Sequence, residues 1–326
     1  MKERVVSGMR PTGRLHIGHF HGVLENWIRI QDQMECFFFV ADWHSLTTEY
    51  ADTAAIRDNI REMVLDWVAF GLDPEKTVVF RQSLVPHHAE LNLILSMITP
   101  VSWLERNPTF KEMLDNIQQR DLSTFGFLGY PVLMAADIIL YKATRVPVGQ
   151  DQLPHLEITR EIARRFNHLY GQVFPEPAAL LTETPKLLGL DGRKMSKSYN
   201  NSIYLSDTAE ETEKKIKSMM TDPARMRRSD AGDPEVCVAF NLHRIYVPQE
   251  QQDEIVPACR NASIGCVECK KILAKYLNER LAPFRAKRVE LTQKSDFVDN
   301  LLHNGSKRAS VISDAVMAEA RAALKL

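Results

Sequence analysis

Through its first half the chain alternates short apolar runs with longer stretches of helical periodicity. That alternation restricts the fold more than any other feature. Residues 36–41 (CFFFVA) read as a buried strand, residues 5–7 and 78–80 as two more, and residues 146–148 as a short fourth. Helices are expected over 17–33, over 53–70 with Thr53 as N-cap, over 130–142, and again from about 151. Strand and helix in turn argue for an α/β fold with a parallel, doubly wound sheet. Beyond about residue 198 the strand signals fade. Helices are expected from about 207 to 220, from 266 to 281 and from 306 to 324. This shift alone sets a boundary near residue 200, since no repeat or low-complexity linker marks one.

A length of 326 residues fits about two domains. The 44% hydrophobic and 25% charged residues are ordinary for a globular protein. No apolar run approaches the ~18 residues of a membrane span. Met1-Lys2-Glu3-Arg4 leads straight into a strand without a signal-peptide pattern. A cytoplasmic protein is expected. A net charge of -1 does not point to nucleic acid, but two local stripes do. Residues 214–228 hold six basic side chains against one acidic, and residues 270–288 hold seven against one. Each stripe can track phosphates or serve as a solvated helix face.

The first strand is followed by Gly8, by the turn Pro11-Thr12-Gly13, and by a helix starting near Gly18. A helix N-terminus offers free N–H groups and a positive dipole end to a phosphate. Gly13 and Gly18 allow close backbone approach, and His16 and His19 can donate to phosphate oxygens. Far downstream, Lys194-Met195-Ser196-Lys197-Ser198 follows the loop Leu190-Asp191-Gly192-Arg193. Two lysines three apart in such a loop can swing onto a triphosphate.

Tyr130, Met134 and Asp137 fall at i, i+4 and i+7, one face of one helix. A carboxylate among Val132, Leu133, Ile138 and Ile139 is costly to bury unpaired, so Asp137 needs a donor. An arginine or a helix N-terminus would serve structurally. Of five cysteines, Cys36 sits in an apolar run as a core thiol. The other four, Cys237, Cys259, Cys266 and Cys269, cluster, which in a cytosolic chain suggests metal more than disulfides. Their single tight pair differs from the two pairs usual in zinc ribbons. Iron–sulfur clusters accept varied spacings, and free thiols remain open.

Pro11–His19 with Lys194–Ser198 resembles the HIGH and KMSKS signatures of class I aminoacyl-tRNA synthetases. Over nearly its whole length the chain is similar to the bacterial tryptophanyl-tRNA synthetase family. Ala41-Asp42-Trp43-His44, residues 130–138 (YPVLMAADI) and residues 146–152 (VPVGQDQ) carry that likeness. The resemblance implies a Rossmann-like catalytic domain over 1–200, with a C-terminal helix from about 295 to 326 packing back on it. A helical anticodon-binding domain would span 201–294. It implies an ATP site of Arg10, Pro11, Thr12, Gly18, His19, Gly149, Gln150 and Asp151 with Lys194, Met195, Ser196, Lys197 and Ser198. It implies a tryptophan site in which Asp137 meets the indole N–H, Met134, Val146 and Val148 form walls, Tyr130 and Gln152 hold the ammonium, and Gly8 and His44 lie nearby. In a subset of the family a similar cysteine pattern binds a [4Fe–4S] cluster. The stretch around Cys266 and Cys269 resembles theirs, which implies that cluster here, with zinc the alternative. Many bacterial members have Gln at the position of Arg10, Asn at that of His19 and Phe at that of Val6.

The implied reaction joins tryptophan to ATP as tryptophanyl-adenylate, then transfers it to tRNA. His16 and His19 would steady the α-phosphate, and Lys194 and Lys197 the leaving pyrophosphate, with Mg²⁺ sharing the charge. A homodimer is expected, with Lys270, Lys271, Lys275 and the Arg225–Arg228 loop near tRNA. The other readings are a tyrosyl-type synthetase, a different HIGH-containing nucleotidyltransferase, and a catalytically inactive tRNA-binding paralogue.

Overall fold

The computed structural model describes residues 3–107, 123–181 and 187–326. Five parallel strands form one sheet: β1 (Arg4–Met9), β2 (Glu35–Val40), β3 (Val78–Arg81), β4 (Arg145–Val148) and β5 (Ala178–Leu181). Their order is β3-β2-β1-β4-β5. The chain therefore winds outward from β1 in both directions, and the crevice between β1 and β4 is the switch point where such sheets bind ligands. The α/β doubly wound expectation holds. β5 has no reading in the sequence, because Ala178, Ala179, Leu180 and Leu181 carry no β-branched or aromatic signal.

Alternation along the strands sorts the core into two layers. Val5, Cys36, Phe38, Val40 and Val79 face one layer, and Val6, Phe37, Phe39, Val78 and Phe80 the other. In the first layer Trp27 stacks on Phe38 at 4.3 Å and meets Trp67 edge-on at 5.1 Å. Each such aromatic contributes roughly 1.5–3 kcal/mol by leaving water. The second layer holds the helix Phe125–Ile139, the helix Leu153–Tyr170 and part of the last helix.

Several helix limits differ from expectation. The first helical segment runs Ile17–His19, passes through a π-turn at Phe20–Leu24, and resumes at Glu25–Ile30. The next begins at Ile56 behind Ala55, so Thr53 is not its cap. The pocket helix starts at Phe125, where Thr124 accepts the Phe127 N–H at 3.2 Å.

After β5 the described residues are helical: Ala209–Ser218, Val238–Tyr246, Gln249–Arg260, Cys266–Thr292 and Phe297–Leu324. Thr208 and Glu211 form a capping box on the first of these. Arg288, on the long helix, binds Asp66 at 2.7 Å and also Glu62, tying the helical region to the first core layer. The final helix lies along β3 so closely that a Cβ on Gly305 would overlap the Val79 carbonyl. Among the described residues no helix is long and apolar enough to cross a membrane.

Candidate active site

A cavity of about 410 Å³ opens beside β1 and β4. All eight residues expected at the amino-acid site line it: Gly8, His44, Tyr130, Met134, Asp137, Val146, Val148 and Gln152. Arg10 and Gly149, expected at the ATP site, line it too. A Cβ on Gly8 would overlap the Phe39 ring, so that ring would have to shift to admit any side chain there. Val148 and Gly149 arrive at the end of β4, and Gln150–Gln152 form one 3₁₀ turn before the next helix.

Asp137 sits at the bottom, 1% exposed. The donor expected for it was an arginine or a helix end. The structure supplies two imidazoles and an amide instead. His44 Nε2 lies 2.7 Å from Oδ2, while Gln82 Nε2 at 2.7 Å and His88 Nδ1 at 2.6 Å both meet Oδ1. Burial alone would push the carboxyl up, but His44 and His88 outweigh it and hold the group below the usual carboxylate range. His88 Nε2 reaches the buried Tyr141 hydroxyl at 2.7 Å. Gln82 Oε1 accepts the Trp43 N–H at 3.1 Å, fixing the helix that carries His44. A second relay runs from Tyr130, whose hydroxyl is 3.2 Å from His155 Nε2, to Asn107, 2.9 Å from the other ring nitrogen. Gln82, His88, Tyr141, His155 and Asn107 have no local signal in the sequence, since each reaches its partner only through tertiary folding.

The two signature segments meet. Ile17 N–H donates to Ile203 C=O at 3.0 Å, and Leu205 N–H to Leu15 C=O at 2.8 Å, pairing the stretch after the lysine loop with the first motif. Lys197 Nζ donates to Gly13 C=O at 3.0 Å. Gly13 takes φ +113°, open to glycine and strained for other residues. Gly18 N–H donates to His16 Nδ1 at 3.1 Å, and the His16 and His19 rings lie 3.8 Å apart. Burial and the nearby Lys197 charge lower His16 to about 4, and His19 is held well below its ordinary value by burial, His16 and Lys197. Both rings are neutral at pH 7, so each can donate from only one nitrogen. Lys197 is lowered to about 8 by burial and by Arg10. Lys194 stays exposed and Met195 is buried. Pro11 is buried, with Thr12 half-buried beside it. Asn201, absent from any sequence reading, braces the loop. Its Oδ1 accepts the Ser196 N–H at 2.8 Å, and its Nδ2 donates to Asp191 at 2.7 Å and to Lys194 C=O at 3.2 Å. The side chains of Asp151 and Ser198 lie outside the described residues.

The cysteine expectation is corrected. Cys237, Cys259, Cys266 and Cys269 do share one small recess. Yet among the described residues no group of three or more His, Cys, Asp or Glu side chains is arranged to hold a metal ion, so neither an iron–sulfur cluster nor zinc is supported. None of the four forms a disulfide. Burial pushes Cys237 and Cys259 up, and lifts Cys269 to about 12. Cys269 Sγ is 3.3 Å from His243 Nε2, and Cys259 Sγ accepts from Arg225 at 3.7 Å. The basic stripes are also partly structural. Arg225 is buried and donates to Ile264 C=O at 2.8 Å, and Arg285 donates to Thr212 at 2.7 Å. Lys271, Lys275, Arg227 and Arg228 remain exposed.

A crevice at the sheet's switch point, joined to a lysine loop folded over a glycine turn, has the layout of a Rossmann-type nucleotide-binding protein. Residues 2–282 match the family described as tRNA synthetases class I (W and Y), and the chain belongs to that family. It is 52% identical over 325 residues to the tryptophan–tRNA ligase of Thermotoga maritima, with 99% of each chain covered. It is 46% identical to that of Aquifex aeolicus, covering 99% of this chain and 100% of the relative. Its fold is similar to the crystal structure of tryptophanyl-tRNA synthetase from Campylobacter jejuni complexed with ADP and tryptophan, with a TM-score of 0.91 at 32% identity, covering 99% of this chain and all of the other.

Proposed function

We infer that the chain is a tryptophan–tRNA ligase. It activates L-tryptophan with ATP and transfers the product to tRNA. The observation that carries the substrate is Asp137: an ionised acceptor at the bottom of an otherwise largely apolar cavity suits an indole N–H. Met134, Val146 and Val148 would pack on the ring, with Gly8 and His44 beside it, while Tyr130 and Gln152 would receive the ammonium.

In the first step a tryptophan carboxylate oxygen attacks the α-phosphorus of ATP, and pyrophosphate leaves. The nucleophile is already an anion, so no general base is needed, and positioning with charge stabilisation carries the rate. Neutral His16 and His19 would donate single hydrogen bonds near the α-phosphate. Lys197, with Lys194 from the same loop, would stabilise the departing pyrophosphate, and Mg²⁺ travels with ATP. Arg10, Pro11, Thr12, Gly18, Gly149, Gln150, Met195, Ser196 and the segment neighbours Asp151 and Ser198 complete the ATP site by resemblance. In the second step the terminal ribose hydroxyl of tRNA takes the aminoacyl group and AMP leaves.

We propose residues 1–200 as the catalytic domain with the last helix packed on it, and 201–294 as the anticodon-binding domain, its exposed Lys271 and Lys275 facing tRNA. A homodimer in the cytoplasm is proposed, supported by the exposed Met97, Val101 and Phe125. The test is aminoacylation of tRNA with tryptophan and with tyrosine. Charging by tryptophan alone is expected, and charging by tyrosine alone would reverse the assignment. Replacing Lys271 and Lys275 with alanine should raise KM for tRNA several-fold at low salt and leave adenylate formation unchanged.

A further inference from the structure

The Asp137 carboxylate is unevenly occupied. A carboxylate oxygen has about two acceptor positions. Oδ1 receives two donors, Gln82 and His88, and Oδ2 receives one, His44. Among the described residues one position remains, and it is on Oδ2. Because the ionised carboxylate only accepts, His88 must carry its proton on Nδ1. Its Nε2 lies 2.7 Å from the Tyr141 hydroxyl, which can donate or accept there. Tyr141 thereby fixes the orientation of the His88 ring, as outer partners orient a ligating histidine. All three supporting side chains are fully buried, with 0% exposure.

We propose that Gln82 and His88, with Tyr141 behind His88, are positioning residues for substrate specificity. They saturate Oδ1 and so turn Asp137 until the vacant acceptor position on Oδ2 is the one presented to the substrate's ring N–H. This inference rests on the reading of Asp137 as the indole acceptor. Gln82 has a double attachment, to Asp137 through its amide N–H and to the Trp43 N–H through its carbonyl. It therefore sets Asp137 and the His44 helix against each other. If either Oδ1 donor is lost, that oxygen regains a free acceptor position and the carboxylate loses its reason to hold one rotation.

The test compares tryptophan with 3-(benzo[b]thiophen-3-yl)-L-alanine, in which sulfur replaces the ring N–H. The readout is the ratio of kcat/KM values in ATP–pyrophosphate exchange. Each ratio is internal to one preparation, so a partly misfolded variant still reports. The wild-type ratio is expected at ~10³ or more, as for a site built around a buried polar contact. Gln82→Leu and His88→Leu should lower it ~10-fold or more, Tyr141→Phe by a smaller factor of about three. His88→Asn, which restores an N–H donor near the Nδ1 position, should recover most of the ratio. Equal loss for both substrates, with the ratio unchanged, would overturn the proposal and leave these residues a packing role. A wild-type ratio near unity would instead overturn the Asp137 reading on which it rests.

Discussion

At the Asp137 end of the cavity a buried negative charge is already paired, whereas around Lys197 positive charge stands close to positive charge. Asp137 has three donors within 2.7 Å before any substrate arrives. Lys197 donates to the Gly13 carbonyl at 3.0 Å and is lowered first by burial and then by the neighbouring Arg10 charge. The first region spends its polar groups on one another and keeps a single acceptor position open, which favours selectivity. On the function proposed above, the second would leave its charges to be satisfied by the triphosphate, which favours stabilising charge as it develops during reaction. Recognition would then be built in advance, and catalysis completed by the ligand.

The largest effect should come from breaking the paired region. Asp137→Ala removes the acceptor and strands two imidazoles and an amide. We expect kcat/KM for tryptophan to fall ~10⁴-fold, with KM for ATP within a few-fold of wild type. Near-normal tryptophan-dependent exchange in that variant would remove Asp137 from the site. Stability should fall too, by about 3–5 kcal/mol, since a buried charge network loses its centre.

Next in size is the unpaired region. Lys197→Ala should cost ~10²–10³ in kcat with little change in KM for tryptophan. The sign of its pH dependence follows from the lowered pKa. Lys197 is charged below about 8 and loses its charge as pH rises through that value. Exchange in the wild type should therefore decline above pH 8. Arg10→Gln removes a repelling cation, so the limb should move to higher pH. A limb that stays in place would show that another group sets it. A milder loss, ~10-fold in kcat, is expected for Asn201→Ala, because Ser196 and Lys194 lose their shared brace.

These contrasts explain what could be read from the chain. The pocket helix was legible because Tyr130, Met134 and Asp137 repeat at helical spacing, and the parallel sheet because short apolar runs such as CFFFVA alternate with helical stretches. Asp137's partners were not, because Gln82 and His88 lie 55 and 49 residues upstream and carry no periodic mark. The cysteine spacing looked like a ligand set, yet spacing along the chain does not fix how side chains converge, and among the described residues no group of three or more His, Cys, Asp or Glu side chains is arranged to hold a metal ion. Periodicity placed the last helix from residue 306 and the resemblance implied about 295; it begins at Phe297. Gly305 sits mid-helix, where the backbone of β3 leaves no space for a side chain.

That close approach gives the smallest and most discriminating test of the contrast. An alanine in an exposed helix would gain about 1 kcal/mol over glycine. At position 305 its Cβ would overlap the Val79 carbonyl, a backbone atom that cannot swing aside. The overlap should dominate, for a net loss of about 1–3 kcal/mol. The strain has a direction. β3 leads through Arg81, whose N–H donates to Ser306 Oγ at 3.4 Å, directly into Gln82. Displacing the helix should therefore loosen the paired region first. We expect Gly305→Ala to raise KM for tryptophan a few-fold, to leave KM for ATP unchanged, and to lower the urea midpoint. If both KM values rise together, the two regions respond as one body and the contrast in how they are supported fails.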